Sequence, residues 1–149
     1  MLMTGAAHID AERAFTRLVR SRRRASLARR LRRRSADEER LLVYEERTLA
    51  RAGASPQRGI REIPLAAIRG TLEPSRAAQF DRCFRPAAGA RTRWQRVWLA
   101  EQRGAPLPPI SVVPVGDAYA LRDGHHRVSV AKARGALTID ATVDAAQPA

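Results

Sequence analysis

Hydrophobic positions in this chain come in short separate patterns, some at helical spacing and some alternating like strands. Across residues 10–34, Phe15, Leu18, Val19, Leu27 and Leu31 form a thin apolar stripe at helical spacing, while residues 1–9 are weakly patterned and expected to fray. Ser35-Ala36-Asp37-Glu38 has the S-x-x-E form of a capping box and predicts a second helix carrying Leu41, Leu42, Tyr44 and Leu49. Gly53, Ala54, Ser55, Pro56 and Gly59 end that helix in a loop.

Beyond the loop, alternation takes over. Residues 60–65 predict a short strand that Pro64 pushes to a sheet edge or a strand end. Residues 66–70 read as a turn of helix closed by Gly70, residues 71–74 as a loop, and Ser75 as the cap of a helix running through Ala77, Ala78, Phe80 and Phe84 to Pro86. Trp94, Val97 and Trp98 share one face of a helix over 93–103, and large aromatics at that spacing read as core anchors rather than a base-stacking platform. Pro106, Pro108 and Pro109 make a stiff extended linker. Residues 110–115 and 118–122 predict a hairpin around Gly116-Asp117, with Pro114 marking its first strand as an edge. A helix over 125–134 points Val128 and Ala131 inward and stops at Gly135, a strand follows over 137–143, and the tail 145–149 is expected to be loose. The order predicts an α/β (α+β) chain with a helical arm over 1–55 and the main domain over 56–149.

Composition changes this picture mainly at the arm. The chain has 149 residues, 44% of them hydrophobic, which suits one compact domain with an appendage. Its net charge of +13 points to an anionic partner, but Lys132 is the single Lys, and Arg-rich coding explains that usage as well as selection for bidentate contacts does, so the raw charge is discounted. In the first 34 residues, eleven Arg against Asp10 and Glu12 give +9, leaving +4 for the rest. Such a run repels itself and should order on an anionic surface. Arg22, Arg23, Arg24, Arg29, Arg30, Arg32, Arg33 and Arg34 are therefore candidate contacts to a nucleic-acid backbone, sequence-independent and salt-sensitive. A helix face packed on the domain or on another subunit explains the same pattern equally well, and membrane attachment less well, because the apolar stripe is thin. Cys83 is the only cysteine, which excludes an internal disulfide and reads as a small half-buried side chain. With no apolar signal core and no apolar run of about 18 residues, the expected location is the cytoplasm, with no membrane contact.

The densest chemistry lies at Arg122-Asp123-Gly124-His125-His126-Arg127, between a strand and a helix. Free N–H groups and the positive dipole end favour an anion at a helix start, and an Arg adds a two-pronged grip. Here Gly124 lets the backbone turn close to a phosphate, Arg127 clamps its oxygens, an imidazole donates a further hydrogen bond, and Asp123 holds Mg²⁺ or orients its neighbours. Two readings compete with this one. The imidazoles can simply cap the helix, or they can bind zinc, which adjacent helical positions and the lack of a further His or Cys cluster make a poor fit.

Ile63-Pro64-Leu65-Ala66-Ala67-Ile68, the turn at 121–128 and the closing run after Gly135 together resemble the ParB/sulfiredoxin superfamily over residues 60–145. The resemblance implies a small mixed sheet with packed helices and a nucleotide phosphate at the turn. ParB-type partition proteins carry Gly-Glu-Arg-Arg, which binds CTP phosphates; Gly124 and Arg127 match it and His125 and His126 depart. Those proteins continue into a helix-turn-helix domain, and this chain is expected to end before one. Sulfiredoxin carries Gly-Cys-His-Arg, matched by Gly124, His126 and Arg127, but its nucleophilic Cys falls on His125, so sulfinic acid reduction is not implied. The ParB-related free-serine kinases carry Asp-Gly-His-Thr-Arg, matched by Asp123, Gly124, His125 and Arg127, and need a base for which this chain offers Glu73.

The expectation is a domain binding ATP, ADP or CTP with Mg²⁺ through Asp123, Gly124, His125, His126 and Arg127, with Glu73 and His125 as candidate catalytic residues for NTP hydrolysis or phosphotransfer. No metal site is expected in the protein itself. The alternative is a non-catalytic DNA-associated module that works through the arm. A homodimer is compatible with either.

Overall fold

The structure, a computed structural model, describes residues 3–35, 38–52 and 59–147. The expected capping box therefore falls partly outside the described residues, as do most of the expected boundary loop and the last two residues of the tail. In chain order the elements are α1 (Met3–Leu31), β1 (Leu42–Val43), α2 (Glu46–Arg51), β2 (Gly59–Pro64), β3 (Ile68–Thr71), α3 (Pro74–Gln79), α4 (Arg91–Gln102), β4 (Ile110–Val115), β5 (Ala118–Asp123), α5 (His125–Ala133) and β6 (Thr138–Val143). Six strands form one mixed sheet in the order β1-β3-β5-β4-β6-β2, confirming the α/β class. The pairs β1/β3, β3/β5 and β4/β6 are parallel, whereas β4/β5 and β2/β6 are antiparallel.

The hairpin of β4 and β5 turns at Gly116-Asp117 as its pattern predicts, but β4 lies inside the sheet instead of at an edge. Pro114 is tolerated there because β6 pairs only with Ile110, Ser111 and Val112, so no second ladder is broken at the proline. A second departure is β3, where the sequence pattern predicts a helical turn closed by Gly70. The pattern misleads because the turn of 3-10 helix ends at Ala67 and Gly70 sits within the strand. A Cβ on Gly70 would stand 2.5 Å from the Tyr44 ring and 2.6 Å from the Leu42 carbonyl oxygen, so the glycine admits the neighbouring chain rather than ending a helix.

Residues 41–51 are not one helix either. Leu42 and Val43 pair with Gly70 and Thr71, and only the six residues of α2 are helical. Likewise α3 stops at Gln79, and residues 80–86 form a tight loop closed by a Phe80–Pro86 bridge. Helix α1 begins at Met3, ahead of the frayed end expected over 1–9.

Two apolar clusters meet at α5. Val128 and Ala131 belong to the cluster over the sheet, with Phe80, Phe84, Ile110 and Leu121. Val130 belongs to the other, with Ala14 and Phe15 of α1 and Trp94 of α4. Helix α5 is thus covered on both sides, which is why its sequence lacks a clear polar face. Trp94 is fully buried, stacks on Trp98 at 5.4 Å and tilts against Phe15 at 5.5 Å, the anchoring role its spacing predicts. Cys83 is exposed, not half-buried, because the loop turns it away from Phe80 and Phe84.

Candidate functional site

Strand β5 delivers the chain to Gly124, whose φ of +108° makes the sharp entry into α5. A Cβ at Gly124 would lie 2.5 Å from Ile110 Cγ2 and 3.2 Å from an Arg127 guanidinium nitrogen. Gly124→Ala should therefore lower stability by about 1–3 kcal/mol, from left-handed backbone strain plus the displacement of Ile110. Urea denaturation of the two proteins measures this.

Around the first turn of α5 lies a cleft of about 370 Å³, lined by Asp123, Gly124, His125, His126 and Arg127 as the turn predicts. Two further arginines complete it: Arg76 from α3 and Arg93 from α4. Neither arginine stands out in the sequence, since nothing local marks an arginine on a distant helix as facing this turn. Val97, Leu107 and Pro108 supply an apolar wall. Three guanidinium groups from three helices thus share the cleft with one carboxylate.

Each candidate residue has a defined setting. The Arg127 guanidinium donates to the carbonyls of Pro108 and, at 2.8 Å, Pro109, and lies 3.2 Å from Asp123 Oδ2. It therefore ties the proline-rich strap over the head of α5 while keeping an edge on the cleft. The Asp123 carboxylate is exposed. His125 is almost fully buried, with Nε2 2.7 Å from Thr71 Oγ1. That hydroxyl also accepts the Glu73 N–H at 2.9 Å and lies 3.2 Å from the Leu121 carbonyl oxygen. If the hydroxyl donates to Leu121, Nε2 carries the imidazole proton and all three contacts are satisfied. His126 sets its ring edge-on to Phe80 at 5.1 Å.

Burial pushes the His125 imidazole down to about 4, aided by Arg76 and His126 and opposed by Asp123. Burial likewise pushes His126 down to about 4, aided by Arg76 and Arg93 and again opposed by Asp123. Both rings are neutral at pH 7, so the cationic charge of the cleft comes from the arginines alone. Glu73 sits at the N-terminal end of α3 with its side chain exposed, and is not among the residues lining the cleft. Among the described residues there is no cluster of three His, Cys, Asp or Glu able to hold a metal ion.

The turn is held from behind by a chain of hydrogen bonds. Trp94 Nε1 donates to Ser129 Oγ at 2.9 Å, and Ser129 Oγ donates to the Phe84 carbonyl at 2.6 Å. Asp81 accepts the N–H groups of Cys83 and Arg85 and the Arg85 Nε at 2.7 Å, while Arg85 also donates to Ser21 Oγ of α1 at 3.0 Å.

The candidate nucleic-acid arginines divide by position. Arg22 points inward, donating to the Gln79 and Ala78 carbonyls, and burial lowers its pKa from the ordinary guanidinium value. Arg29 is also turned inward, paired with Glu39. Arg34 lies 4.0 Å from Glu38, and Arg23, Arg24, Arg30, Arg32 and Arg33 are exposed. No helix among the described residues is long and apolar enough to cross a membrane.

No family model and no curated protein matches the chain. Among solved structures it is similar to the crystal structure of sulfiredoxin from Arabidopsis thaliana, with 21% identity, a TM-score of 0.45, and coverage of 58% of this chain and 85% of that one.

Proposed function

We propose that the cleft at the head of α5 binds the phosphate groups of a nucleoside di- or triphosphate. The observation that carries this reading is the convergence of Arg76, Arg93 and Arg127 on the first turn of a nine-residue helix. The unpartnered N–H groups and dipole of that turn favour an anion, and guanidinium groups match phosphate oxygens in pairs. Neutral imidazoles add hydrogen-bonding capacity without the desolvation cost of two buried charges. The wall of Val97, Leu107 and Pro108 offers an apolar flank to the nucleoside.

Asp123 is the carboxylate lining the cleft, so it is the residue that would share a Mg²⁺ ion with the phosphates, the remaining positions being water. Magnesium there would neutralise phosphate charge. The exposed Glu73 does not support its assignment as a base, and no phosphoryl-transfer step is assigned to His125, whose Nε2 is engaged by Thr71.

Calorimetric titration with ATP, ADP and CTP in the presence of Mg²⁺ tests the reading. Saturable binding is expected for at least one nucleotide. Arg76→Ala and Arg93→Ala should each weaken it by about 10- to 100-fold, the range for losing a charge-assisted hydrogen bond. Absence of saturable binding, or an affinity indifferent to both substitutions, overturns the proposal.

A further inference from the structure

Helix α1 has two faces with opposite uses. Phe15, Arg22 and Arg29 recur every seven residues and are all turned towards the body of the protein. Arg13, Arg17, Arg20 and Arg24 lie on the other side. At about 100° per residue these four fall within an arc of about 60°, roughly opposite Phe15 and Arg22. All four are exposed, and with Glu12 and Thr16 they line a shallow groove of about 350 Å³.

Nothing within the described residues neutralises this stripe. The Glu12 carboxylate is taken by Arg91 and Gln95 of α4, and none of the four arginines makes an ion pair or hydrogen bond among the described residues. Like charges three and four positions apart on a helix repel one another, so the arrangement weakens the helix unless a polyanion meets it.

We infer that this stripe is a docking surface for the sugar-phosphate backbone of duplex nucleic acid. From Arg13 to Arg24 the helix rises about 16 Å, a length over which a duplex presents about one charge per 1.7 Å of axis. Guanidinium groups pair well with phosphate. The groove lining holds no Asn, Gln or aromatic side chain to read adenine or to stack on an unpaired base, and its arginines are spread along one shallow helix face as phosphate contacts would be, so little preference among sequences is expected. Over the same stretch Ala11, Ala14 and Phe15 are buried in the protein, which removes the apolar face that a membrane-surface helix would insert. Leu27 and Leu31 are exposed further along α1, so anionic vesicles belong in the test.

Anisotropy titrations of the full chain with labelled duplexes of about 20 base pairs, at about 50 to 200 mM NaCl, give the affinity and its salt slope. Two duplexes of unrelated sequence should bind equally. Replacing Arg13, Arg17, Arg20 and Arg24 together by Gln should flatten the slope of log K against log salt by about 3 to 4, near 0.9 per lost phosphate contact. Affinity at the lowest salt should fall by at least about 100-fold. All four positions are exposed, so the variant should keep its circular dichroism spectrum. An unchanged slope overturns the assignment, as does a strong preference between the two duplexes. Binding to vesicles containing phosphatidylserine without binding to duplex also overturns it. So does displacement of the duplex by saturating Mg-ATP, which would place the duplex in the cleft.

Discussion

Lowering the pH from 7 to 5 should weaken this protein well before its ordinary carboxylates titrate. Burial holds the imidazoles of His125 and His126 down to about 4, against an ordinary value of 6.5. Between those two values the unfolded chain takes up protons that the folded protein refuses, so stability is present in full above pH 6.5 and drains away as the pH falls towards 4. Treated as independent, each ring contributes at most about 3 kcal/mol. The rings are neighbours and the cleft admits water, so the combined loss by pH 5 should be about 2–4 kcal/mol. Urea midpoints at pH 7 and pH 5 measure it, and a His125→Gln, His126→Gln variant should lose most of the difference. A wild-type midpoint that does not move would mean the rings are not held neutral by burial. A phosphate in the cleft would favour the protonated rings, so saturating nucleotide should reduce the acid loss.

That expectation depends on burial, which sequence alone shows poorly here. The turn itself was legible: a strand, Gly124 and the start of a helix can be read from alternation giving way to helical spacing, and five of the cleft-lining residues lie in that one run. Arg76 and Arg93 were not, because each sits on a helix whose own pattern speaks only of its own packing. Phe80 reads as one more apolar helical position, yet it leaves the helix and becomes the surface against which His126 is set. The same limit explains β3. Four residues ending in Gly-Thr carry no alternation strong enough to overrule a glycine stop, and only their pairing between β1 and β5 makes them a strand. Thr71, the partner of His125, reads as loop in sequence for that reason.

Replacing Phe15 with alanine should lower stability by about 3–5 kcal/mol, the range for emptying a large buried aromatic site. Phe15 is fully buried, tilts against Trp94 at 5.5 Å and carries the Arg91 guanidinium over its ring at 4.8 Å. An arginine-rich segment without tertiary support would show almost no response, because an exposed Phe→Ala change on a lone helix touches only propensity. The size of the loss thus measures how far α1 is a part of the domain. It also bears on the cleft. Arg22 caps the carbonyl end of α3, which carries Arg76, and Ser21 holds Arg85 in the loop below Phe80. A loosened α1 should therefore weaken nucleotide binding as well, even though Phe15 lines no part of the cleft. Chemical denaturation and nucleotide titration of Phe15→Ala give the two readings together. Full stability in the variant would sink the packing argument, whereas lost stability with unchanged affinity would confine the coupling to folding.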